Sequence, residues 1–332
     1  MTDNKQVIFS GAQPSGSLTL GNYIGAIQNW KALEDEYFCI FSIVDLHSMT
    51  IRQDPKTFKE TALSFLAQYL ASGLDPEKNI IFYQSHVKEH AELAWLLSCN
   101  TYLGELNRMT QFKEKSAQHA QNVNAGLYTY PILQAADILL YQTNLVPVGE
   151  DQRQHIELSR DIAERFNSAY GDTFQIPEIY LPKVGAKVMN LQEPDKKMSK
   201  SEESEKGVIF LLDSEDETMK KVKRAVTDNK NQIVYSEDQL GIKNLITIYS
   251  KLKPCAIEEV EKEYSGKGYG QFKKDVAELI IERTKSFKEK YNHYMENRGY
   301  LEDVYKTGAH RAKEIASTTM DNVRQHMGLV NI

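Results

Sequence analysis

Two lysines three residues apart, Lys197 and Lys200, lie in a short polar segment that reads Lys-Met-Ser-Lys-Ser over residues 197–201. Pro194 precedes this segment and glutamates follow it, so neither a helix nor a strand is predicted there. Two ammonium groups and two hydroxyls in one loop can bind a polyphosphate whose charge changes during a reaction. A solvated charged loop is the alternative, and it is the more common explanation for such a composition.

A second candidate phosphate site lies near the start of the chain. Residues 9–22 read FSGAQPSGSLTLGN, which predicts a strand end, a loop of small residues and a helix that begins near Thr19. A helix N-terminus presents backbone N–H groups and a positive dipole end to an anion, and Gly21 would let a flat base approach the backbone. The loop matches neither a Walker A sequence nor a GxGxxG fingerprint, so a plain strand-to-helix turn is the alternative.

A predicted helix over residues 130–141 is apolar except along one face, and Pro131 suits its first helical position. Because the helix is otherwise apolar we expect it to be buried, and its polar face should meet a ligand or an internal polar network. An ionised aspartate can accept an N–H or an O–H from a substrate. The polar face consists of Tyr130, Gln134, Asp137 and Tyr141.

The stretch from Val146 to Gln152 predicts a strand end, a turn and a helix start. Ligands bind at the carboxyl ends of parallel strands, so Gly149 could allow close approach and Asp151 could accept from two ribose hydroxyls. A plain N-cap role for Asp151 is equally consistent. His86 and His90 have the spacing of a helical metal pair, but no glutamate stands beside the first, and no metal site is predicted.

Composition places the chain among ordinary globular proteins, with 332 residues, 41% hydrophobic residues and a net charge of -6. The length predicts about two domains, and the negative charge argues against a general polyanion binder, including one for DNA. Three widely spaced cysteines form neither a disulfide framework nor a zinc pattern. The polar N-terminus and the lack of a long apolar run predict a cytoplasmic protein that does not enter a membrane.

Short β-rich runs alternate with amphipathic segments in the first half, whereas the second half is helical. We therefore predict a Rossmann-type, doubly wound parallel α/β sheet followed by a mainly helical C-terminal domain. Residues 177–194 are rich in proline and glycine and predict a turn-rich connection. Strands are predicted at 6–9, 37–44, 79–83 and 144–148, and helices at 54–73, 151–170, 215–227, 238–251, 256–264, 270–297 and 301–327.

Residues 197–201 match, letter for letter, the KMSKS signature of class I aminoacyl-tRNA synthetases, and Thr19-Leu20-Gly21-Asn22 resembles a variant of their HIGH signature. Residues 9–16, 104–116 and 146–157 are similar to the patterns of one family of that class, the bacterial tryptophanyl-tRNA synthetases, and the similarity covers nearly the whole chain. The resemblance implies ATP with Mg²⁺, L-tryptophan and tRNA(Trp) as ligands, and a homodimer.

The resemblance also implies roles for individual residues. Catalytic roles fall to Lys197, Lys200, Thr19, Asn22 and Lys115. ATP contacts fall to Gln13, Pro14, Ser15, Gly21, Asn22, Gly149, Glu150, Asp151, Val188, Lys197, Met198, Ser199, Lys200 and Ser201. Asp137 would accept the indole N–H, Tyr130 and Gln152 would bind the ammonium group, and Phe9, Val44, His47 and Gln134 would lie around the ring.

The implied domains are a catalytic one over residues 1–195, a signature loop and junction over 196–206 and a helical anticodon-binding domain over 207–300. A C-terminal helix over 301–332 is expected to pack back on the catalytic domain.

One departure keeps a second amino acid open. Some family members carry Met where this chain has Gln134, and Tyr130, Gln134 and Asp137 also match the YxxxQxxD spacing of tyrosyl-tRNA synthetases. Phe9 stands where those enzymes place a tyrosine, which favours tryptophan. A nucleotidyl transferase that does not use tRNA and a catalytically silent tRNA-binding protein are the remaining alternatives.

Overall fold

A parallel sheet of five strands lies in the first half of the chain, in the spatial order β3-β2-β1-β4-β5. The computed structural model describes residues 5–27, 33–111, 123–149, 152–180, 187–199 and 204–330. The strand order reverses between β1 and β4, and this is the position at which open parallel sheets bind ligands. The strands are β1 Val7–Ala12, β2 Phe38–Ile43, β3 Ile80–Tyr83, β4 Leu145–Pro147 and β5 Glu178–Tyr180.

Both faces of this sheet are covered. Ile8 and Phe41 belong to one cluster of buried side chains, whereas Phe9 and Ile40 belong to a second. Successive side chains of a strand point to opposite faces, so the apolar runs of the central strands fill two separate cores. The predicted doubly wound sheet is confirmed.

Helices alternate with the strands in the first half of the chain and make up the second half. The short α1 continues into a π-helical turn over Tyr23–Ile27. The helices are α1 Leu20–Asn22, α2 Asp45–Ser48, α3 Pro55–Ala71, α4 Glu89–Ser98, α5 Leu103–Asn107, α6 Ala125–Leu139, α7 Arg153–Tyr170, α8 Glu215–Lys223, α9 Leu240–Leu252, α10 Ile257–Glu263, α11 Tyr269–Glu296 and α12 Arg298–His326. Within the described ranges, no helix is long and apolar enough to cross a membrane.

Two sequence-based expectations about these elements were wrong. The helix of the polar face begins at Ala125 rather than at Tyr130, because Asn124 caps it: its Oδ1 accepts from the Leu127 N–H at 3.0 Å. Pro131 therefore lies inside the helix. The stretch predicted as a turn-rich connection contains β5, whose three residues are too few to produce a periodic pattern.

The last helix, α12, packs on the edge strand β3. A Cβ atom added to Gly308 would lie 1.9 Å from the carbonyl oxygen of Ile81, so only a glycine permits this approach. Arg311 Nη1 donates to the carbonyl oxygen of Asn79 at 2.8 Å, just before the strand. Arg324 forms an ion pair with Glu92 of α4 at 2.8 Å. The helix thereby covers an edge that would otherwise expose unpaired backbone groups.

We expect Gly308→Ala to lower the free energy of unfolding by about 1–3 kcal/mol, because the new methyl group forces α12 away from β3. Gly299→Ala is the matched control, since it lies in the same helix and a Cβ there meets nothing within 4 Å. That control should change stability by less than about 1 kcal/mol, in the stabilising direction. Urea unfolding of both variants measures the difference, and equal effects would contradict the close packing.

Candidate active site

A cavity of about 390 Å³ opens at the carboxyl ends of β1, β2 and β4, beside the switch point of the sheet. The sheet, the first turn after β2 and one face of α6 supply its walls. The lining residues are Phe9, Ser10, Gly11, Gln13, Val44, His47, Gln111, Tyr130, Gln134, Asp137, Ile138, Val146, Pro147, Val148 and Gln152. All seven residues predicted to surround the amino acid therefore line one cavity.

The carboxylate of Asp137 is buried at the wall of this cavity, with 1% of the residue exposed. His47 Nε2 lies 2.7 Å from its Oδ2. Gln84 Nε2 donates to its Oδ1 at 2.6 Å, and His90 Nδ1 lies 2.6 Å from the same oxygen. A buried carboxylate requires such compensation, and three side chains from the segments that follow β2 and β3 provide it: His47 of α2, Gln84 directly after β3, and His90 of α4.

Burial on its own would raise the pKa of Asp137, but the hydrogen bonds and positive potential of His47 and His90 outweigh burial and lower that pKa below its ordinary value. The carboxylate is therefore ionised at neutral pH and acts only as a hydrogen-bond acceptor. A fixed acceptor in a cavity that also offers the apolar side chains of Phe9, Val44 and Val146 selects a ligand that carries an N–H or O–H on an apolar body.

The tyrosine at the other end of the predicted polar face is also held in place. The Tyr130 hydroxyl donates to Gln111 Oε1 at 3.2 Å and lies 2.8 Å from His155 Nε2. Its ring meets the His47 ring edge-on, with centroids 6.2 Å apart. Gln134 and Gln152 line the same cavity, so this wall offers a cluster of polar atoms separate from Asp137.

The first signature segment packs against Met198 of the second and pairs with the backbone that follows the second, although the two are far apart in the sequence. The Leu20 N–H donates to the Ile209 carbonyl at 2.8 Å, and the Leu211 N–H donates to the Leu18 carbonyl at 2.8 Å. A Cβ on Gly21 would lie 3.5 Å from the Met198 Cβ. The backbone of the second segment thus packs directly on the helix start of the first.

The base of the second segment is fixed by backbone pairing. The Met198 N–H donates to the Val188 carbonyl at 2.9 Å, and Met189 pairs with Lys197 in an antiparallel bridge. Asn244 of α9 accepts from the Met189 N–H and donates to its carbonyl, each at 2.8 Å. Met198 is buried, whereas Lys197 is exposed, so the lysine side chain is available to a ligand in solution.

Thr19 and Asn22 form a capping box at the start of α1. Thr19 Oγ1 accepts from the Asn22 N–H at 3.1 Å, and Asn22 Oδ1 accepts from the Thr19 N–H at 3.1 Å. Thr19 is fully buried. Its hydroxyl therefore caps the helix. The catalytic roles of Thr19 and Asn22 stay predictions. The Nδ2 group of Asn22 can only donate a hydrogen bond, which suits a phosphate oxygen.

Several predicted site residues lie outside the described parts of the chain: Lys115, Glu150, Asp151, Lys200 and Ser201. The sequence did not identify Gln84 and His90 as partners of Asp137. One signal was present, because both follow the predicted strand at 79–83, at the edge where parallel sheets place functional groups. Across the described residues, no group of three or more His, Cys, Asp or Glu side chains could hold a metal ion.

We expect Asp137→Asn to lower the free energy of unfolding by about 1.5–3 kcal/mol at neutral pH, because hydrogen bonds to a buried charge are lost. A lowered pKa in the folded state means that the stabilisation is present above the ordinary value of 3.8 and disappears as the pH falls through the folded pKa. Urea unfolding at several pH values should therefore show the two proteins converging below that value. Asp161→Asn, at an exposed site on α7, is the control and should change little. A pH-independent gap would contradict the role of the carboxylate charge.

Comparisons with known proteins agree with this geometry. The model of the class I tRNA synthetases for tryptophan and tyrosine (W and Y) matches residues 1–285. The chain is 54% identical over 330 residues to a tryptophan–tRNA ligase of Clostridium tetani, covering 99% of this chain and 98% of that protein. It is 50% identical to one from Clostridium acetobutylicum, covering 99% of both chains.

Solved structures give the same result. Tryptophanyl-tRNA synthetase from Mycoplasma pneumoniae superimposes with a TM-score of 0.88 at 33% identity, covering 98% of each chain. The Campylobacter jejuni enzyme, complexed with ADP and tryptophan, superimposes with a TM-score of 0.84 at 35% identity, covering 98% of this chain and 100% of that one. The chain therefore belongs to the class I tRNA synthetases, in the family of the tryptophan–tRNA ligases.

Proposed function

We propose that this chain activates L-tryptophan with ATP, forming tryptophanyl-adenylate and pyrophosphate, and then transfers tryptophan to tRNA(Trp). The observation that carries the proposal is the buried, ionised Asp137 at the wall of the cavity, together with the contact between the two signature segments. The acceptor for the substrate ring would then lie next to the region that binds the phosphates, as a reaction between the substrate carboxylate and ATP requires. The similarity to tryptophan–tRNA ligases over 99% of the chain supports it.

The cavity fits an amino acid with an indole side chain. Phe9, Val44 and Val146 supply apolar surface for the ring, and Asp137 accepts the indole N–H. Tyr130 and Gln152 line the same cavity and would bind the ammonium group. Gln13, directly after β1, lines the same cavity, and the substrate carboxylate would face it on the side of the proposed nucleotide site.

The nucleotide site would extend from Gln13, Pro14 and Ser15 to the start of α1. Gly21 allows the adenine or ribose to approach the backbone, and Asn22 Nδ2 and Lys197 can donate to phosphate oxygens. Gly149 and the backbone around Val188 complete the predicted contacts. ATP would enter as its Mg²⁺ complex, with the ion held largely by the phosphates.

The proposed reaction needs no protein nucleophile. An oxygen of the tryptophan carboxylate attacks the α-phosphorus, the bond to the β-phosphate bridging oxygen breaks, and pyrophosphate leaves. The 2′-hydroxyl of the terminal tRNA adenosine then attacks the carbonyl carbon and releases AMP. The chain contributes alignment of the reactants and positive charge on the leaving pyrophosphate.

Two wider roles are proposed with this function. Residues 207–300 would bind the anticodon of tRNA(Trp), since unpaired bases are read by stacking and hydrogen bonds to their edges. A homodimer would bury apolar side chains that the chain leaves exposed. Trp95, Tyr102 and Leu103 are 70%, 65% and 69% exposed, which is typical of an interaction surface.

We expect Lys197→Ala to slow tryptophan-dependent ATP–pyrophosphate exchange by about 10²–10³-fold, because one electrostatic contact to the transition state is lost. Tryptophan affinity, measured by equilibrium binding without ATP, should stay unchanged. Lys206→Ala, at an exposed lysine just beyond the segment, is the control. Equal losses in exchange and in tryptophan binding would exclude a transition-state role for Lys197.

The substrate itself is tested by the exchange assay across all amino acids. Tryptophan should support exchange, and phenylalanine should be rejected strongly, because it would leave the Asp137 carboxylate without its donor. In Asp137→Ala that discrimination should fall by at least about tenfold. Exchange that depends on tyrosine would instead identify a tyrosyl enzyme, and no exchange with any amino acid would support a silent tRNA-binding protein.

A further inference from the structure

A second layer of polar contacts lies behind the Asp137 carboxylate. Gln84, His90 and Tyr141 do not line the cavity, and each is at most 1% exposed. His90 bridges the carboxylate to the tyrosine: its Nδ1 lies 2.6 Å from Asp137 Oδ1, and its Nε2 lies 2.7 Å from the Tyr141 hydroxyl. Tyr141 and His90 thus form a chain of hydrogen bonds that ends on Asp137 Oδ1, the oxygen that Gln84 also contacts.

The direction of the hydrogen bonds along this chain follows from the groups themselves. A carboxylate oxygen can only accept, so His90 Nδ1 must carry a hydrogen at that distance. Burial and the nearby carboxylates of Asp137 and Glu89 raise the pKa of Tyr141 well above its ordinary value, so its hydroxyl keeps its hydrogen. His90 Nδ1 donates to Asp137 in either state of the ring: a protonated ring carries a hydrogen on both nitrogens, and in a neutral ring Nε2 accepts the tyrosine hydrogen, which fixes the tautomer that donates to Asp137.

The orientation of the Gln84 amide is fixed by its two hydrogen bonds. Its Oε1 accepts from the Leu46 N–H at 3.2 Å, which leaves its Nε2 to donate to Asp137 Oδ1. Oδ1 therefore receives two donors, and each carboxylate oxygen offers about two acceptor positions. Among the described residues, Oδ2 receives one donor, from His47. These contacts leave one acceptor position, and it is on Oδ2, the oxygen that accepts from His47 of the cavity wall.

We propose that His90 is a positioning residue for amino-acid recognition: with Gln84 it occupies Oδ1, fixes the rotation of the Asp137 carboxylate and leaves one acceptor position, on Oδ2, for the ring N–H of the substrate. This inference rests on the proposed function. Without the His90 donor the carboxylate can rotate or admit water, and its preference for a ligand that donates a hydrogen bond declines. Affinity for the apolar ring changes less, because His90 does not touch the cavity.

The test compares L-tryptophan with 3-(benzothienyl)alanine, in which a ring sulfur replaces the N–H group. Selectivity is the ratio of their kcat/KM values in ATP–pyrophosphate exchange. His90→Gln places its amide near the Nε2 position and loses the donor to Asp137, so selectivity should fall about 10- to 100-fold, through KM for tryptophan. His90→Asn keeps a donor near the Nδ1 position and should retain selectivity within about threefold.

A second variant guards against failure of His90→Gln to fold. Tyr141→Phe keeps the ring that stacks on Phe9, with centroids 5.6 Å apart, but removes the hydroxyl that fixes the His90 tautomer. Its selectivity should fall about 3- to 10-fold. His86→Gln is the matched control, an exposed histidine four residues before His90, and it should behave as the unmodified protein does.

The possible outcomes separate two failures. Equal selectivity in His90→Gln, His90→Asn and the unmodified protein would overturn the positioning role. Equal losses in both His90 variants would also overturn it, since they would show a structural role alone. Absence of tryptophan-dependent exchange in the unmodified protein would instead overturn the proposed function.

Discussion

The rest of the site depends on one physical constraint, the burial of a charged carboxylate. Moving an ionised carboxylate out of water costs several kcal/mol unless donors replace the lost hydration. Asp137 meets that requirement with His47, Gln84 and His90, which come from the segments that follow β2 and β3. The register of β2 and β3 therefore determines whether these donors converge on the Asp137 carboxylate.

The sheet also explains why residues so distant in sequence act at one place. Parallel strands end at one edge, so the carboxyl ends of β1, β2 and β4 and one face of α6 all reach the same crevice. The second signature segment is positioned differently: Met198 and Lys197 pair with the backbone of residues 188 and 189, and the chain that follows pairs with residues 18 and 20 through Leu211 and Ile209. Backbone pairing fixes position without demanding particular side chains, which leaves Lys197 exposed for a ligand.

The sequence was informative where a pattern is local and uninformative where pairing is tertiary. The Asp54–Pro55 start of α3 and the apolar runs of β1 to β3 were predicted because caps and burial leave local signals. The three-residue β5 and the start of α6 were not, since a short strand has no period and the Asn124 cap lies upstream of the polar pattern. The polar face of α6 identified Asp137, whereas its pairing with His90 was missed: the position of His90 after a predicted strand indicates the functional edge of the sheet, but nothing local links these two residues.

The residue proposed to recognise the amino acid is buried, whereas the lysine proposed to act on the phosphates is exposed. Asp137 is ionised, buried and fully oriented before any ligand arrives, so the energy of its hydrogen bond is not spent on ordering the site. Lys197 is exposed, and a charge in water interacts weakly with a phosphate until water is excluded. In the proposed reaction the amino acid would therefore be selected by a rigid acceptor, whereas the electrostatic term of Lys197 would become large only after the nucleotide has displaced solvent around the lysine. Burial thus separates the proposed selective group from the proposed electrostatic one.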